Sequence, residues 1–338
     1  MRLKNCLAIF VPSVRAIFLI AACALPLSAN AQNSINKAAS SEIWPTRPVR
    51  ILVGFPGGST PDMSARTLAE PLARALGQPV IVENRVGASG NIAADLVAKA
   101  TDDHTLAVVI NGNLTSAKQL YAKLPYDPAR DFVPISLLTT APLMLVAPAS
   151  LPGGAEFFTA ARQAGSQWNF GSVGTGSVAH LGMELINSRL PGMLPVHVPY
   201  AGNPQVITAM LGGQIQMALI PPGIALPHIR SGKLQAIGLT GGRSLLAPDV
   251  PPLADAGLRN VNLEVWTALV GPARLSKAAQ ARLAVDVPRL IREADTRQKL
   301  FAQGWQAVGT SPDGLSSRLK DETAILGAII QARGIKIE

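Results

Sequence analysis

The sequence predicts an α/β protein of two domains, one inserted in the other. Strand and helix patterns alternate along most of the chain, which argues for a parallel sheet with helices on both faces. Two extended stretches, around 139–142 and 262–272, join apolar segments with no helix between them and read as crossings between domains. The 338 residues also exceed the roughly 250–300 at which a single core stops growing. The expected division is 32–140 with 263–338 for one domain and 141–262 for the other, after a leader at 1–31. Hydrophobic residues make up 48% and charged residues 15%, below the ~25% usual for soluble chains, with 30 Gly and 27 Pro for turns. That excludes a disordered chain, a coiled coil and a collagen-like repeat.

Residues 32–41 are small and polar, a lead-in. Residues 49–55 are apolar and β-branched, a strand broken by Gly57, Gly58, Ser59 and Thr60. Ala65, Leu68, Leu72 and Leu76 then recur at helical spacing until Gly77, and Pro71 predicts a kink or break. Strands follow at 80–83 and 106–110, around a helix over 91–99, and Asn111, Gly112 and Asn113 make a polar turn. Further strands are expected at 133–138, 143–147, 168–170, 196–198, 215–219 and 235–239. Helices are expected near 155–163, 177–188, 203–211 and 222–230. After the extended stretch at 263–270 the pattern is helical, near 276–292, 296–303 and 312–331. Ser311 and Pro312 supply an N-cap and first turn for the last helix.

The leader has its own pattern. Arg2, Lys4 and Arg15, the apolar stretch 16–27, and Ala29 and Ala31 around Asn30 match a secretory signal peptide cut before Gln32. Twelve apolar residues are too few to span a bilayer as a helix, which takes about 20. Both cysteines, Cys6 and Cys23, fall in the leader, so the processed chain would hold no thiol, disulfide or Cys-bound zinc. A competing expectation is a lipoprotein with Cys23 lipidated. Without Arg2, Lys4 and Arg15 the chain keeps 27 basic residues against 21 acidic, a net +6. That charge is dispersed rather than gathered on one segment, which argues against a nucleic-acid partner.

One device occurs in each half: a strand, a glycine-rich turn and a helix. The first is 49–60; the second runs through Gly171, Ser172, Gly174, Thr175, Gly176 and Ser177 to His180. Backbone N–H groups at such a turn, with the positive end of the helix dipole, form an anion site that needs no metal or arginine. The phosphate-loop motif and the G-x-S-x-G nucleophile elbow are missing, and no G-x-G-x-x-G follows the first strand. The four histidines, His104, His180, His197 and His228, are isolated from one another, with no pair at i, i+4, so no metal or catalytic residue is expected. An exported α/β hydrolase using Ser177 and His180 is the alternative from another class. The four tryptophans read as core.

The residues then carry a resemblance. Trp44–Arg50 (WPTRPVR), 57–62 (GGSTPD), 82–88 (VENRVGA), 124–128 (LPYDP), 197–200 (HVPY), 212–214 (GGQ) and 254–257 (ADAG) form an ordered series. It is similar to that of the exported solute receptors of the tripartite tricarboxylate transporter family, the Bug receptors of Bordetella and its relatives, over residues 44–336. The resemblance implies a periplasmic binding protein of type II-like, clam-shell form with two crossing strands. It implies a small organic carboxylate as ligand and no cofactor. The implied partners are the membrane permease subunits of a transporter, or a sensor kinase, with the receptor itself a monomer.

It places Phe55, Pro56, Gly57, Gly58, Ser59, Thr60 and Asp62 of the first domain at the cleft, with Asn111 and Thr115. From the second come Ser172, Gly174, Thr175, Gly176, Ser177, His180, Tyr200 and Ile220. Asp62 is better suited to capping its helix than to meeting an anion. Three positions depart from the family pattern. Ala201 stands where a lysine is frequent. Ile220, Pro221 and Pro222 stand where an acid often ends the strand, and 101–105 (TDDHT) replaces a Pro-Asp-Gly-Tyr-Thr turn. The second change argues for a ligand with a neutral or apolar remainder.

Overall fold

The computed structural model describes residues 44–336; the leader, with Cys6, Cys23 and the alanine site, lies outside them. The strands in chain order are β1 (Val49–Val53), β2 (Val80–Asn84), β3 (Thr105–Ile110), β4 (Phe132–Pro142), β5 (Met144–Pro148), β6 (Asn169–Ser172), β7 (Val196–Pro199), β8 (Met217–Ile220), β9 (Leu234–Leu239), β10 (Glu264–Pro272) and β11 (Gln306–Ala307). The helices are α1 (Thr60–Leu76), α2 (Asn91–Ala98), α3 (Asn111–Leu114), α4 (Ala117–Leu120), α5 (Gly154–Ala164), α6 (Val178–Arg189), α7 (Asn203–Leu211), α8 (Pro222–Arg230), α9 (Lys277–Arg292), α10 (Ala294–Ala302) and α11 (Pro312–Arg333).

The strands divide between two sheets, ordered β11-β4-β10-β3-β1-β2 and β7-β6-β8-β5-β9. Each sheet with its helices makes one lobe. The chain leaves the first lobe between β4 and β5, across Leu143, and returns between β9 and β10. Both sheets are mixed, where strand and helix alternation predicted parallel ones. In the first, β1 is parallel to β2 and β3, but β10 is antiparallel to β3 and β4. The reason is the route: β4 carries the chain out and β10 carries it back, so the two run opposite ways side by side. In the second, β6 is parallel to β7 and β8, while β5 is antiparallel to β8 and β9.

Strand alternation sorts side chains to opposite faces of each sheet. Ile51, Val53, Leu106, Val108 and Ile110 join one core cluster, and Leu52, Ala107 and Val109 join a second with Trp266. In the other lobe Met217 and Leu219 belong to the first cluster, and Ala218 and Ile220 to a third with Met144 and Val146. Ile220 is therefore a core residue, fully buried, and not the cleft residue expected from the sequence. A strand over Met217–Ile220 turns Leu219 to the cleft side and Ile220 to the opposite face.

Two local expectations also shift. Helix α1 runs on through Pro71, because Ala65, Leu68 and Leu72 hold its buried face on the sheet against the ~3 kcal/mol an internal proline costs. The polar turn at Asn111 is a short helix, its start met by Asn113 Oδ1 accepting from the Ile110 amide at 3.4 Å. Helix α11 touches both lobes. Arg318 bonds Glu264 of β10 at 3.1 Å, and Arg333 pairs with Glu184 of α6 at 2.9 Å.

Candidate functional site

Each lobe sends helices toward the cleft between the sheets, and four begin on one cavity. Ser59, Thr60 and Pro61 are the cap and first turn of α1. Ser177, Val178 and Ala179 play that part in α6, Gly202 and Asn203 in α7, and Pro221 in α8; all line the cavity. The sequence sets these starts locally: Pro61, Pro204 and Pro222 occupy first-turn positions whose N–H would have no partner within the helix, and Ser177 Oγ accepts the His180 amide at 3.3 Å. Phe55, Ile110, Leu143, Val173, Leu219 and Val265 complete the wall, and among the described residues no charged side chain is part of it.

Each helix N-terminus carries about half a positive charge, so four together favour an anion where no lysine or arginine stands. A second observation points the same way. Ser59 is 2% exposed, lines the cavity, and its hydroxyl has no hydrogen-bond partner among the described residues. A buried hydroxyl left unpaired is costly, and a ligand atom beside it would remove that cost. The cavity volume is about 20 Å³, on the measure by which one water needs about 10–15 Å³. The lobes thus meet closely around it.

They meet through the glycine loop. Ser116 Oγ donates to the Gly176 carbonyl at 2.7 Å, and a Cβ on Gly202 would lie 3.1 Å from Pro56 Cδ. A smaller cavity of about 10 Å³ adjoins the first at Ile110 and Ser177, lined by Ser89, Asn91, Asn113, Ser116, Tyr121 and Thr175 among others. Ser89, at φ 55°, is pressed against Gly174 of the other lobe.

The expected site residues separate into groups. Phe55, Ser59, Thr60 and Ser177 line the main cavity, and Thr175 and Gly176 the smaller one. Pro56 packs on Gly202 beside them, whereas Gly57 and Gly58 are exposed. Asp62 Oδ2 accepts the Gly58 amide at 2.9 Å, and Oδ1 meets Arg66 at 3.0 Å and Asn84 at 2.9 Å. Burial pushes its pKa up, but those donors outweigh burial and hold the carboxyl below its ordinary value. Asp62 is thus spent on the loop.

Asn111 points away from the cavity, its Nδ2 donating to Glu322 at 2.7 Å and to the Glu264 carbonyl at 3.1 Å. Thr115 bonds back to the Asn111 carbonyl at 2.7 Å, and Tyr200 packs on the third core cluster. Ser177 and His180 do not form a nucleophile and base: the serine hydroxyl caps α6, and His180 Nδ1 accepts the Gly176 amide at 3.1 Å. Among the described residues no group of three His, Cys, Asp or Glu could hold a metal ion. Sequence reasoning missed Asn203, Leu219 and Pro221 at the cavity. The signal was present, since each stands at or beside a helix start marked by proline just after a strand.

Known proteins share this chain's pattern. Residues 64–335 match the model of the tripartite tricarboxylate transporter family receptor. Protein BugT of Bordetella pertussis is 31% identical over 308 residues, 88% of this chain and 93% of its own. MatC of Rhodopseudomonas palustris, solved with bound malate, superposes with a TM-score of 0.79 at 31% identity, over 85% of this chain and 100% of that one. A second R. palustris protein, solved with adipate, gives 0.81 at 28%, over 87% and 99%. The two-lobed fold, the two crossings and these matches agree, and the chain belongs to the tripartite tricarboxylate transporter receptor family of periplasmic solute-binding proteins.

Proposed function

We propose that the protein captures a small organic carboxylate between its lobes and delivers it to the membrane permease of a tripartite tricarboxylate-type transporter. The observation that carries the reading is the convergence of four helix N-termini on a cavity with no charged side chain. The malate and adipate bound in two similar structures support the ligand class. In this reading the lobes are two domains, 32–140 with 263–338 and 141–262, and closure brings the loops 55–60 and 172–177 onto the ligand. Backbone N–H groups and the hydroxyls of Ser59 and Thr60 hold the carboxylate. The apolar walls take the rest. An α-ammonium would find no carboxylate in that wall and would be left desolvated and unpaired, at several kcal/mol by rough estimate.

Native mass spectrometry of freshly purified protein, followed by a thermal-shift panel, tests the reading. The panel pairs each plain acid with its α-amino and its amide analogue. At 100-fold excess over Kd a bound acid adds ~2.7 kcal/mol of stability. Stabilisation by amino acids or neutral sugars, and not by plain acids, would overturn the proposal.

A further inference from the structure

Two of the four histidines, far apart in sequence, stack on one another behind the glycine loop. The rings of His180 on α6 and His197 on β7 lie 4.0 Å apart at 24°, and Phe170 on β6 stacks on His197 at 4.8 Å. Each imidazole commits one nitrogen to the loop. His197 Nε2 meets Ser172 Oγ at 2.7 Å, and His180 Nδ1 accepts the Gly176 amide at 3.1 Å.

The protons can be accounted for. Ser172 gives its one hydroxyl proton to the Gly174 carbonyl (3.0 Å) and accepts from the Gly174 amide (3.2 Å), which leaves a lone pair for an N–H on His197 Nε2. His180 must keep a lone pair on Nδ1. His180 is then neutral with its proton on Nε2, and His197 carries a proton on Nε2, neutral where its buried Nδ1 stays bare. Burial, joined for His180 by the neighbouring ring of His197, pushes the two down to about 3 and about 4, which agrees with that assignment.

The loop needs such support. Gly174 and Gly176 sit at φ 115° and 83°, and glycines bring no side chains of their own to hold a shape. Yet this loop delivers the α6 N-terminus to the cavity and the Gly176 carbonyl to Ser116 of the other lobe.

We infer that His197 and His180 are positioning residues: through Ser172 and the Gly176 amide they fix the 172–177 loop in the form that meets the ligand and the opposite lobe. Only the mention of ligand rests on the proposed function; the fixing of the loop does not.

Two measurements need no ligand. In long-range ¹H–¹⁵N spectra of histidine-labelled protein, both rings should remain neutral Nε2–H tautomers at pH 6, where a free imidazole is largely protonated. A ring titrating normally, or His180 carrying its proton on Nδ1, overturns the inference. In hydrogen exchange followed by mass spectrometry, His197→Phe keeps a ring on Phe170 but loses the bond to Ser172. Exchange over 172–180 and 112–120 should rise about tenfold, the factor one hydrogen bond allows. It should stay unchanged over β1 to β3.

His197→Gln, which retains an N–H donor, should restore part of the protection. Ser172→Ala should reproduce the loss and serves if His197→Phe fails to fold. Unchanged loop exchange, or a rise spread over the whole fold, overturns the inference. Calorimetry with malate and adipate then reads the consequence, an affinity at least tenfold lower in His197→Phe. Equal affinity would remove the link to the ligand. Failure of the wild type to bind either acid counts against the carboxylate reading alone, because the tautomer and exchange results still decide the positioning role.

Discussion

Replacing Gly174 by alanine separates the cost of a strained loop from the cost of a blocked closure. The backbone there is at φ 115°, a conformation that charges a residue with a Cβ about 1–3 kcal/mol whether the lobes are open or shut. The added Cβ would also stand 2.1 Å from Ser89 Oγ and 2.8 Å from Ser89 Cβ. The hydroxyl can rotate away, but the Cβ cannot without moving the 87–90 turn. Overpacking of this kind costs about 1–3 kcal/mol, and only when the lobes meet, because Ser89 belongs to the other one.

The unliganded variant should therefore lose about 1–3 kcal/mol of stability in urea. Its affinity for the acid preferred by the wild type should fall roughly 5- to 150-fold by calorimetry. Adding Ser89→Gly removes both clashing atoms and leaves the strain at 174. Affinity should then recover while stability does not. Ser89 itself has φ 55°, so glycine is at ease in its place. Wild-type affinity in the single variant, or no recovery in the double, would refute the argument.

Other outcomes can be checked in parallel. Ile220→Ala should cost about 2–5 kcal/mol in urea and leave affinity within about twofold, because the side chain packs in the core; a selective loss of affinity would return it to the cleft. Glu322 has its pKa raised, by burial above all and against the donors Trp266, Asn111 and Arg318. Glu322→Ala would strand the Trp266 indole N–H, now 2.6 Å from the carboxylate, and leave the Asn111 amide only its bond to the Glu264 carbonyl, and should cost about 3–5 kcal/mol. Glu322→Gln should cost less, and equal urea midpoints for the two would argue against the network.

Stability should also fall with acid in a defined window. His180 and His197 are depressed to about 3 and about 4 in the folded chain, against about 6.5 unfolded, so the unfolded state binds more protons below pH 6.5. Each contributes up to ~1.4 kcal/mol of lost stability per pH unit from about 6.5 down to its folded value. His197→Phe should flatten that slope by one such share, and parallel slopes for the two proteins would contradict the assignment.

What could be read from the chain was mostly local. The helix starts at Asn203 and Pro222 follow from proline in the first turn, and the strands at 49 and 105 follow from dense β-branched runs. Direction within a sheet depends on the partner strand, and the partner of β3 that breaks the parallel pattern begins at Glu264. The side to which Ile220 turns depends on the strand reaching it, and the expected strand at 215–219 stopped one residue short, where β8 ends at Ile220. Asn111 reads as a turn residue until Glu322, 211 positions later, is seen to hold it. The histidine stack needs the turn from β6 through α6 to β7, so sequence spacing gave no hint of it. The helices that begin at the cavity were legible one by one; their convergence on one point was not.

The place of β10 in its sheet sets an order of assembly. That strand lies between β4 and β3, so without it the first sheet is left as two unjoined pieces, while β5 to β9 come from one continuous run of chain. A polypeptide made from its N-terminus presents the first lobe earliest, yet that lobe must wait for residues 264–272 before its halves can join. The inserted lobe faces no such delay. In the interval β3 and β4 each show an unpaired apolar edge, the kind of surface that invites aggregation or a chaperone. The lobe that begins the chain is thus the last to be finished, and its period of exposure lasts as long as its neighbour takes to emerge.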